Sequence, residues 1–445
     1  MTTTVQPYLP EEILQLVLQY VQDNEEEWPS KHTLAACCLV NRQCYRLAQP
    51  MLYHKIRIEG CYISTIKLLV RSLIYSPMLA DHVRELCFGE DTPLLADLDS
   101  DGEELEDHGV EVEAIENYAE AVNASTSLSQ EIRELIINGL AEGEHSANMA
   151  MLLIACQKLH VLEVELLPGW NELIVGSVLD SAGRDPSASS EFNEALPLSQ
   201  LRELTVRCGQ ETAFLKMSEL QWLIHIGQLE TFRGDRLEII QAAYEGAYGE
   251  PCYIKHLRLT DSACDGESLR ELLACCSSLE TLQLEFGPAC LVCYGWVSRS
   301  IVEFGQNLGE ICIDMSSLCD DPYDEGGVLQ PGAPLEDMSE LHNLQTLRLS
   351  AIAIYGKDDT DDRDFPNFEI SVLTDILPTS LRVLEMFDCA KVQMEAMEKQ
   401  LNAVWVDNRF EGLYRLRLRA RGEEPEVTWG RGERSLESES RVSGW

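Results

Sequence analysis

Apolar residues recur at helical spacing near the amino end of this chain and at strand spacing over most of the remainder. Residues 9–56 read LPEEILQLVLQYVQDNEEEWPSKHTLAACCLVNRQCYRLAQPMLYHKI. Ile13, Leu14, Val17, Leu18 and Val21 fall on turns of a predicted helix. Pro10 suits its first position, where a missing N–H loses no bond, and Glu11 and Glu12 suit the positive end of its dipole. A second helix is predicted from His32 or Thr33 through Leu34 and Cys38 to Val40, and a third from Arg42 to Gln49, capped by Asn41 and ended by Pro50. A unit of this size buries only ~60% of its chain surface. Each Leu, Ile or Val left in water forgoes about 1.5–3 kcal/mol. The surplus apolar face is therefore expected to be handed to a partner, to the rest of the chain, or to both.

Residues 62–80 carry Ile63, Ile66, Leu69, Val70, Leu73 and Ile74, an amphipathic helical pattern, and residues 82–88 alternate as a short strand. Residues 90–113 hold eleven Asp and Glu and no Lys or Arg, a self-repelling run that reads as a flexible acidic loop. Helical patterns return at residues 129–143 and 147–159. A unit L-x-x-L-x-L then repeats: Leu159-Leu162-Val164, Leu201-Leu204-Val206, Ile254-Leu257-Leu259, Leu279-Leu282-Leu284, Leu308-Ile311-Ile313, Leu344-Leu347-Leu349, Leu381-Leu384-Met386 and Leu413-Leu416-Leu418, with a degenerate unit at residues 229–232. Helices are predicted between them at residues 211–226, 235–248, 267–276, 294–306 and 392–404. The repeat spacing of 25 to 42 residues is wider than that of a regular leucine-rich repeat. A single strand–helix unit cannot bury its apolar face, so the units are expected to stack with parallel strands and outer helices, an α/β solenoid. Residues 181–198, 319–338 and 356–368 read as loops, and residues 422–445 as a disordered tail.

Three blocks of the amino-terminal stretch resemble the F-box in its fungal form. They are Leu9-Pro10-Glu11-Glu12-Ile13-Leu14, Leu39-Val40-Asn41-Arg42-Gln43-Cys44-Tyr45, and Leu47-Ala48-Gln49-Pro50-Met51-Leu52-Tyr53-His54-Lys55-Ile56. The acidic connection at residues 23–31 is longer than in compact animal F-boxes, and Tyr53 stands where many have tryptophan. The following helix and the His82-Val83-Arg84-Glu85-Leu86 strand are similar to the linker of fungal F-box proteins, many of which carry leucine-rich repeats beyond it. The resemblance implies an F-box at residues 1–58, a linker helix and first strand at 59–89, an acidic insert at 90–128, a leucine-rich-repeat-like domain at 129–421 and the tail at 422–445. It further implies docking on the Skp-type adaptor of a cullin–RING ubiquitin ligase, with Leu9, Pro10, Ile13, Leu14, Val17, Leu39, Val40, Tyr45 and Leu52 as the contact residues. The repeat would then hold a target protein for ubiquitination. The alternative is a ligase-independent scaffold in which the three helices merely cap the repeat.

Charge narrows the partners. Lys plus Arg number 34 and Asp plus Glu 76, a net charge of −42, which disfavours nucleic acid and anionic membrane surfaces. No apolar run is long enough to span a bilayer and no signal peptide is apparent, so a cytoplasmic or nuclear protein is expected. The sixteen cysteines are scattered, and several lie in apolar runs, which reads as buried free thiols. Cys290 and Cys293, with Cys275 and Cys276 upstream, form the one zinc-like spacing; burial of two apolar faces is the preferred reading, with no metal or cofactor. Phosphate-binding, nucleophile-elbow and metalloprotease motifs are absent, so no enzyme is expected. What remains is a binding surface. Period-two alternation points Glu163, Glu165, Thr205, Arg207, Arg258, Thr260, Gln283, Glu285, Cys312, Asp314, Arg348, Ser350, Glu385, Phe387, Arg417 and Arg419 outward, onto the expected concave face of the repeat. Arg415, Arg417, Arg419 and Arg421 on the last strand read as charge that blocks further pairing, or as clamps for an acidic segment.

Overall fold

The computed structural model describes residues 9–22, 27–58, 63–88, 112–124, 128–169, 174–184, 198–210, 213–220, 223–226, 228–239, 252–264, 266–287, 294–314, 337–355, 372–389, 391–420 and 426–430. These are mixed α/β, with strands that are nearly all parallel. The chain divides into two compact units: residues 1–209 with 225–229, and residues 210–224 with 230–445. Among the described residues no helix is long and apolar enough to cross a membrane.

The first unit opens with three helices, α1 (Glu11–Gln22), α2 (Glu27–Cys38) and α3 (Arg42–His54). Their core is Leu18, Leu34 and Ala48, with Leu14, Val21, Leu47, Met51 and Leu52 packed around it. The Pro10 carbonyl accepts the first helical bond, from the Leu14 N–H at 3.0 Å, and the Asn41 side chain caps α3 by accepting from the Cys44 N–H at 2.8 Å. Two boundaries differ from expectation. Helix α2 starts earlier than His32 and ends at Cys38, leaving Leu39 and Val40 in the turn. Pro50 does not end α3, which continues to His54. A proline inside a helix costs about 3 kcal/mol, but the next turn carries Met51 and Leu52 onto the core, and their burial offsets it.

Helix α3 runs directly into strand β1 (Lys55–Ile58), which alternation alone does not predict. The expected long helix is two, α4 (Ile63–Tyr75) and α5 (Pro77–Ala80), broken where Pro77 removes an N–H. Strand β2 (Glu85–Phe88) follows. The acidic run at residues 90–111 lies outside the described residues, but its carboxyl-terminal part is not loop: residues 112–124 form helix α6 (Val112–Ala124), which buries Tyr118 and Val122 one turn apart. Helix α7 (Gln130–Glu142) is capped by Ser129 and closed by Gly143, whose φ of 80° suits glycine. Helix α8 (His145–Ala155) is buried from Ser146 to Ile154 and packs against α4, α7 and α9 (Ile174–Arg184). Helix α9 takes in Ser181, where a loop is expected from the turn-forming residues around it; Val175, Val178 and Leu179 bury the helix. Strands β3 (Val161–Leu166) and β4 (Glu203–Cys208) complete a parallel sheet in the order β1-β2-β3-β4.

The second unit begins with strand β5 (Leu215–Lys216) and helix α10 (Met217–Leu220). Strands β6 (Thr231–Asp235), β7 (Leu237–Ile239) and β8 (His256–Cys264) come next. Where one helix is expected at 211–226, the described residues form β5, the single turn α10 and a 3-10 turn at Leu223–His225; of the helix expected at 235–248, residues 237–239 are strand β7 and residues 240–248 lie outside the described residues. Arg236 takes a left-handed φ of 55° between β6 and β7, which breaks a helix but joins two short strands. The remaining elements are α11 (Gly266–Cys275), β9 (Thr281–Phe286), α12 (Tyr294–Phe304), β10 (Glu310–Asp314), β11 (Thr346–Ser350), α13 (Ile352–Tyr355), α14 (Leu373–Ile376), β12 (Val383–Cys389), α15 (Lys391–Val406), β13 (Arg415–Ala420) and β14 (Glu426–Gly430). Strands pair in the order β6-β8-β9-β10-β11-β12-β13, all parallel, with β14 antiparallel on β13. β14 corrects two expectations. Part of the tail is ordered, and the arginines of β13 do not leave that strand unpaired, because Val427 and Trp429 sit opposite Leu418 and Leu416. The Trp429 indole also donates to the Asn402 side chain on α15 at 3.0 Å.

The L-x-x-L-x-L units fold alike. The first leucine sits in a turn just before the strand, and in most units its N–H reaches back three residues, as in Leu279 to Cys276 and Leu344 to Leu341. The second and third point into the core, and all three are buried in each unit. The degenerate unit shows why the third position matters: Gly234 stands there, and the Leu237 side chain fills the space that a Cβ on Gly234 would enter. Of the other two predicted loops, Met338 is buried at the end of one, while residues 315–336 and 356–371 lie outside the described residues. Truncating the helical core at Leu18→Ala should destabilise α1 to α3 by about 2–5 kcal/mol, seen as hydrogen exchange accelerated there and unchanged in β9 to β13.

Candidate functional site

Two surfaces carry residues whose chemistry is not consumed by the fold. The first is apolar and lies on α1, α3 and the turn between α2 and α3. Helix α1 is apolar on both sides, Leu14 and Leu18 facing the core while Leu9, Ile13, Leu16, Val17 and Tyr20 stay exposed around it. Leu39 is 88% exposed and Val40 67%, and Tyr45 is exposed on α3. A scatter of single exposed apolar residues is ordinary, but Ile13, Leu16, Val17 and Tyr20 recur at helical spacing and so line one side of α1. Arg46 pairs with Glu11 and ties α3 to the start of α1. Of the nine residues expected on this face, Leu9, Pro10, Ile13, Val17, Leu39, Val40 and Tyr45 are exposed. Leu14 and Leu52 are not part of it: both pack on the Leu18–Leu34–Ala48 core, because at helical spacing they fall on its inner side. Leu16 and Tyr20 add to the face; their exposure follows from the same wheel but is obscured in the sequence by their polar neighbours.

The second surface is the outward face of the second unit's sheet. Parallel register lines up one residue per strand: Arg233, Arg258, Gln283, Cys312, Arg348, Glu385 and Arg417 form a single row across β6 to β13. Two positions towards the strand starts lie Thr231, His256, Thr281 and Glu310. Two positions the other way lie Asp235 opposite Thr260, and Glu285 opposite Asp314. An open groove of about 330 Å³ is lined by Arg233, His256, Arg258, Thr281, Gln283, Glu310, Cys312 and Arg348 among others.

The charges along this row are not equivalent. Glu385 is engaged by Arg348 at 3.6 Å, Arg419 at 3.5 Å and Arg417 at 4.0 Å. Arg348 also lies 3.5 Å from Glu310. The β13 arginines therefore clamp a carboxylate of the neighbouring strand. At the other end, Arg233 and Arg258 hold no carboxylate at ion-pair distance among the described residues; Arg258 is only attracted at longer range to Glu285. Burial pushes the Glu285 carboxyl above its usual range, the Asp314 charge adds to this, and Arg258 opposes it. Burial pushes the Cys312 thiol up to about 12, so it stays protonated at neutral pH and is no nucleophile.

The expected concave-face residues divide between the units. Glu163, Glu165 and Arg207 belong to the first, where Arg207 pairs with Glu163 at 2.7 Å and faces Glu165 in register. Arg258, Gln283, Glu285, Asp314, Arg348, Glu385, Arg417 and Arg419 belong to the second, with Phe387 half-buried on β12. Ser350, in register with Phe387, is fully buried and offers no exposed surface. Arg233 escapes the sequence reading because its strand carries the degenerate repeat unit. Of the cysteines at zinc-like spacing, Cys290 and Cys293 lie outside the described residues, while Cys276 is buried with its sulfur 3.3 Å from that of Cys252. Among the described residues no cluster of metal-ligating side chains is present.

A carboxyl held above its unfolded value penalises the native state wherever it is ionised, and the penalty fades as pH falls through that raised value. Glu285→Gln should therefore raise the melting temperature at pH 7, with the gain shrinking to nothing towards pH ~4, read by calorimetry across that range. Compared with known proteins, the chain matches no family model and no curated protein.

Proposed function

We propose that this chain is the substrate-recognition subunit of a cullin–RING ubiquitin ligase. Helices α1 to α3 act as an F-box that docks on a Skp-type adaptor, and the strand–helix units act as an irregular leucine-rich repeat that holds a target protein. The observation that carries the reading is the exposed apolar group Leu9, Ile13, Leu16, Val17, Tyr20, Leu39, Val40 and Tyr45, left uncovered by the three-helix core it surrounds. The residues of the three F-box-like blocks supply much of that group, which supports docking over a random surplus. Interfaces of this kind concentrate their energy in a few buried apolar anchors. No bond is made or broken by this chain under the reading; the target is brought near the ubiquitin-transfer machinery and effective concentration does the rest.

One observation favours the second reading, an N-terminal cap on a ligase-independent scaffold. Helix α3 continues into β1, and the Arg84 N–H donates to the His54 carbonyl at 2.9 Å, so the helices are built into the first unit's sheet. A cap, however, needs one apolar side, and α1 has two. The double variant Leu9→Ala/Pro10→Ala, and separately Leu39→Ala/Val40→Ala, should each weaken capture of purified Skp-type adaptor by tenfold or more, about 1.4 kcal/mol, with thermal stability within a few tenths of wild type. Undiminished capture by both variants, or no capture by the wild type, overturns the ligase reading and leaves the scaffold.

A further inference from the structure

The groove on the second unit has polarity as well as shape. Arg233 and Arg258 are lateral neighbours, paired in register on β6 and β8, and neighbouring strands lie about 4.8 Å apart. That separation lets two guanidinium groups converge on one compact anion, the geometry in which arginine binds carboxylate and phosphate most strongly. Arg348 at the far side of the groove is already engaged by Glu310 and Glu385, whereas Arg233 and Arg258 hold no carboxylate at ion-pair distance among the described residues. On a protein of net charge −42, carboxylates are abundant, so two such neighbours without one mark a place kept for an anion from outside.

The next row sets what else the ligand carries. Two positions further along the same strands stand Asp235 and, on β9, Glu285 beside Asp314. Asp261 adds to the field on Glu285. Positions two apart on a strand are about 6.6 Å from one another along its axis. An extended peptide has the same repeat, so it can set an anionic side chain on the arginines and a cationic one, two residues away, on the acidic row. A nucleic acid cannot, because its second phosphate would meet those carboxylates.

We infer that an extended protein segment enters the groove between β6 and β11 with a compact anionic group (a phosphorylated side chain or a carboxylate), held there by Arg233 and Arg258, and sets a Lys or Arg two residues from it on Asp235 and Glu285, in the row just beyond the groove's lining. This deepens the proposed receptor role and rests on it only in calling the segment part of a target; binding of the segment does not require the adaptor.

The test uses the full-length chain and fluorescein-labelled nine-residue alanine-based peptides containing phosphoserine-Ala-Lys, Glu-Ala-Lys, Ser-Ala-Lys, phosphoserine-Ala-Glu or Lys-Ala-Lys, with a single-stranded oligonucleotide as a further probe, read by anisotropy. The first or second peptide, or both, should bind at least about tenfold more tightly than the Ser, anion-Ala-Glu and Lys-Ala-Lys controls; which of the two wins tells phosphate from carboxylate. Arg233→Gln/Arg258→Gln should lose that preference, and Arg233→Glu/Arg258→Glu should bind Lys-Ala-Lys more tightly than the wild type does, a gain that a misfolded variant cannot give. Equal binding of all peptides, a preference untouched by both double variants, or tighter binding of the oligonucleotide overturns the inference. Adaptor capture by the same arginine variants is measured alongside: its retention separates failure of the groove from failure of the ligase reading.

Discussion

Most of the parallel strands begin where two successive N–H groups converge on one carbonyl at the start of the neighbouring strand. Lys255 and His256 donate to Glu230, Glu280 and Thr281 to Lys255, and Gly309 and Glu310 to Glu280. Gln345 and Thr346 donate to Gly309, Arg382 and Val383 to Gln345, and Tyr414 and Arg415 to Arg382. The first unit repeats the device, with His160 and Val161 on Arg84, and Arg202 and Glu203 on His160. A hydrogen bond contributes only about 0.5–1.5 kcal/mol net, less than the burial of one leucine at about 1.5–3 kcal/mol. Burial therefore supplies the stability, and the shared carbonyl supplies the register. A slip of one residue would break both bonds and turn a strand's leucines to solvent. The lateral row from Arg233 to Arg417 exists because this slip is forbidden at every strand.

Side chains reinforce the turns that feed these strands. Asn307 donates to the Ser277 carbonyl and Asn343 to that of Gln306, each reaching the turn of the preceding unit at 3.0 and 2.8 Å. Ser380 reaches the Leu341 and Leu344 carbonyls in the same way. The Ser380 contacts are half-buried and satisfy turn carbonyls away from water, whereas those of Asn307 and Asn343 lie at the surface and tie one turn to the next.

The strands of the repeated units are readable from sequence because each requires three apolar residues at one fixed spacing; the same spacing occurs inside helices, as at Ile13, Leu16 and Leu18 of α1, so it is its recurrence in series that marks strands. The helices are readable where a cap stands beside a periodic run, as with Ser129 and Gly143 around α7. The pattern is silent where it is short or masked by neighbours. Helix α6 has Tyr118 and Val122 for its core but comes after a dense run of acids. Strand β14 shows only Val427 and Trp429 at period two, amid charge and glycine. Strands β5 and β7 are too short for any period to register, and β7 depends on a left-handed Arg236 that composition does not announce. The same weakness hides Arg233. Its unit lacks the third leucine, and only the structure shows Leu237 supplying that volume from the next strand. The outward alternation is correct for Arg258, Gln283 and Arg348, but sequence cannot say that Glu385 occupies three arginines and leaves two others without a carboxylate.

The passage from His54 to Lys55 has a mechanical meaning. Helix gives way to strand there with no intervening residue, and β1 is locked to β2 along its four positions. There is no slack in which the helical trio could swivel. Whatever grips α1 and α3 is consequently presented at a constant attitude to strands β1 to β4, as a handle forged in one piece with its blade and not hung on a hinge.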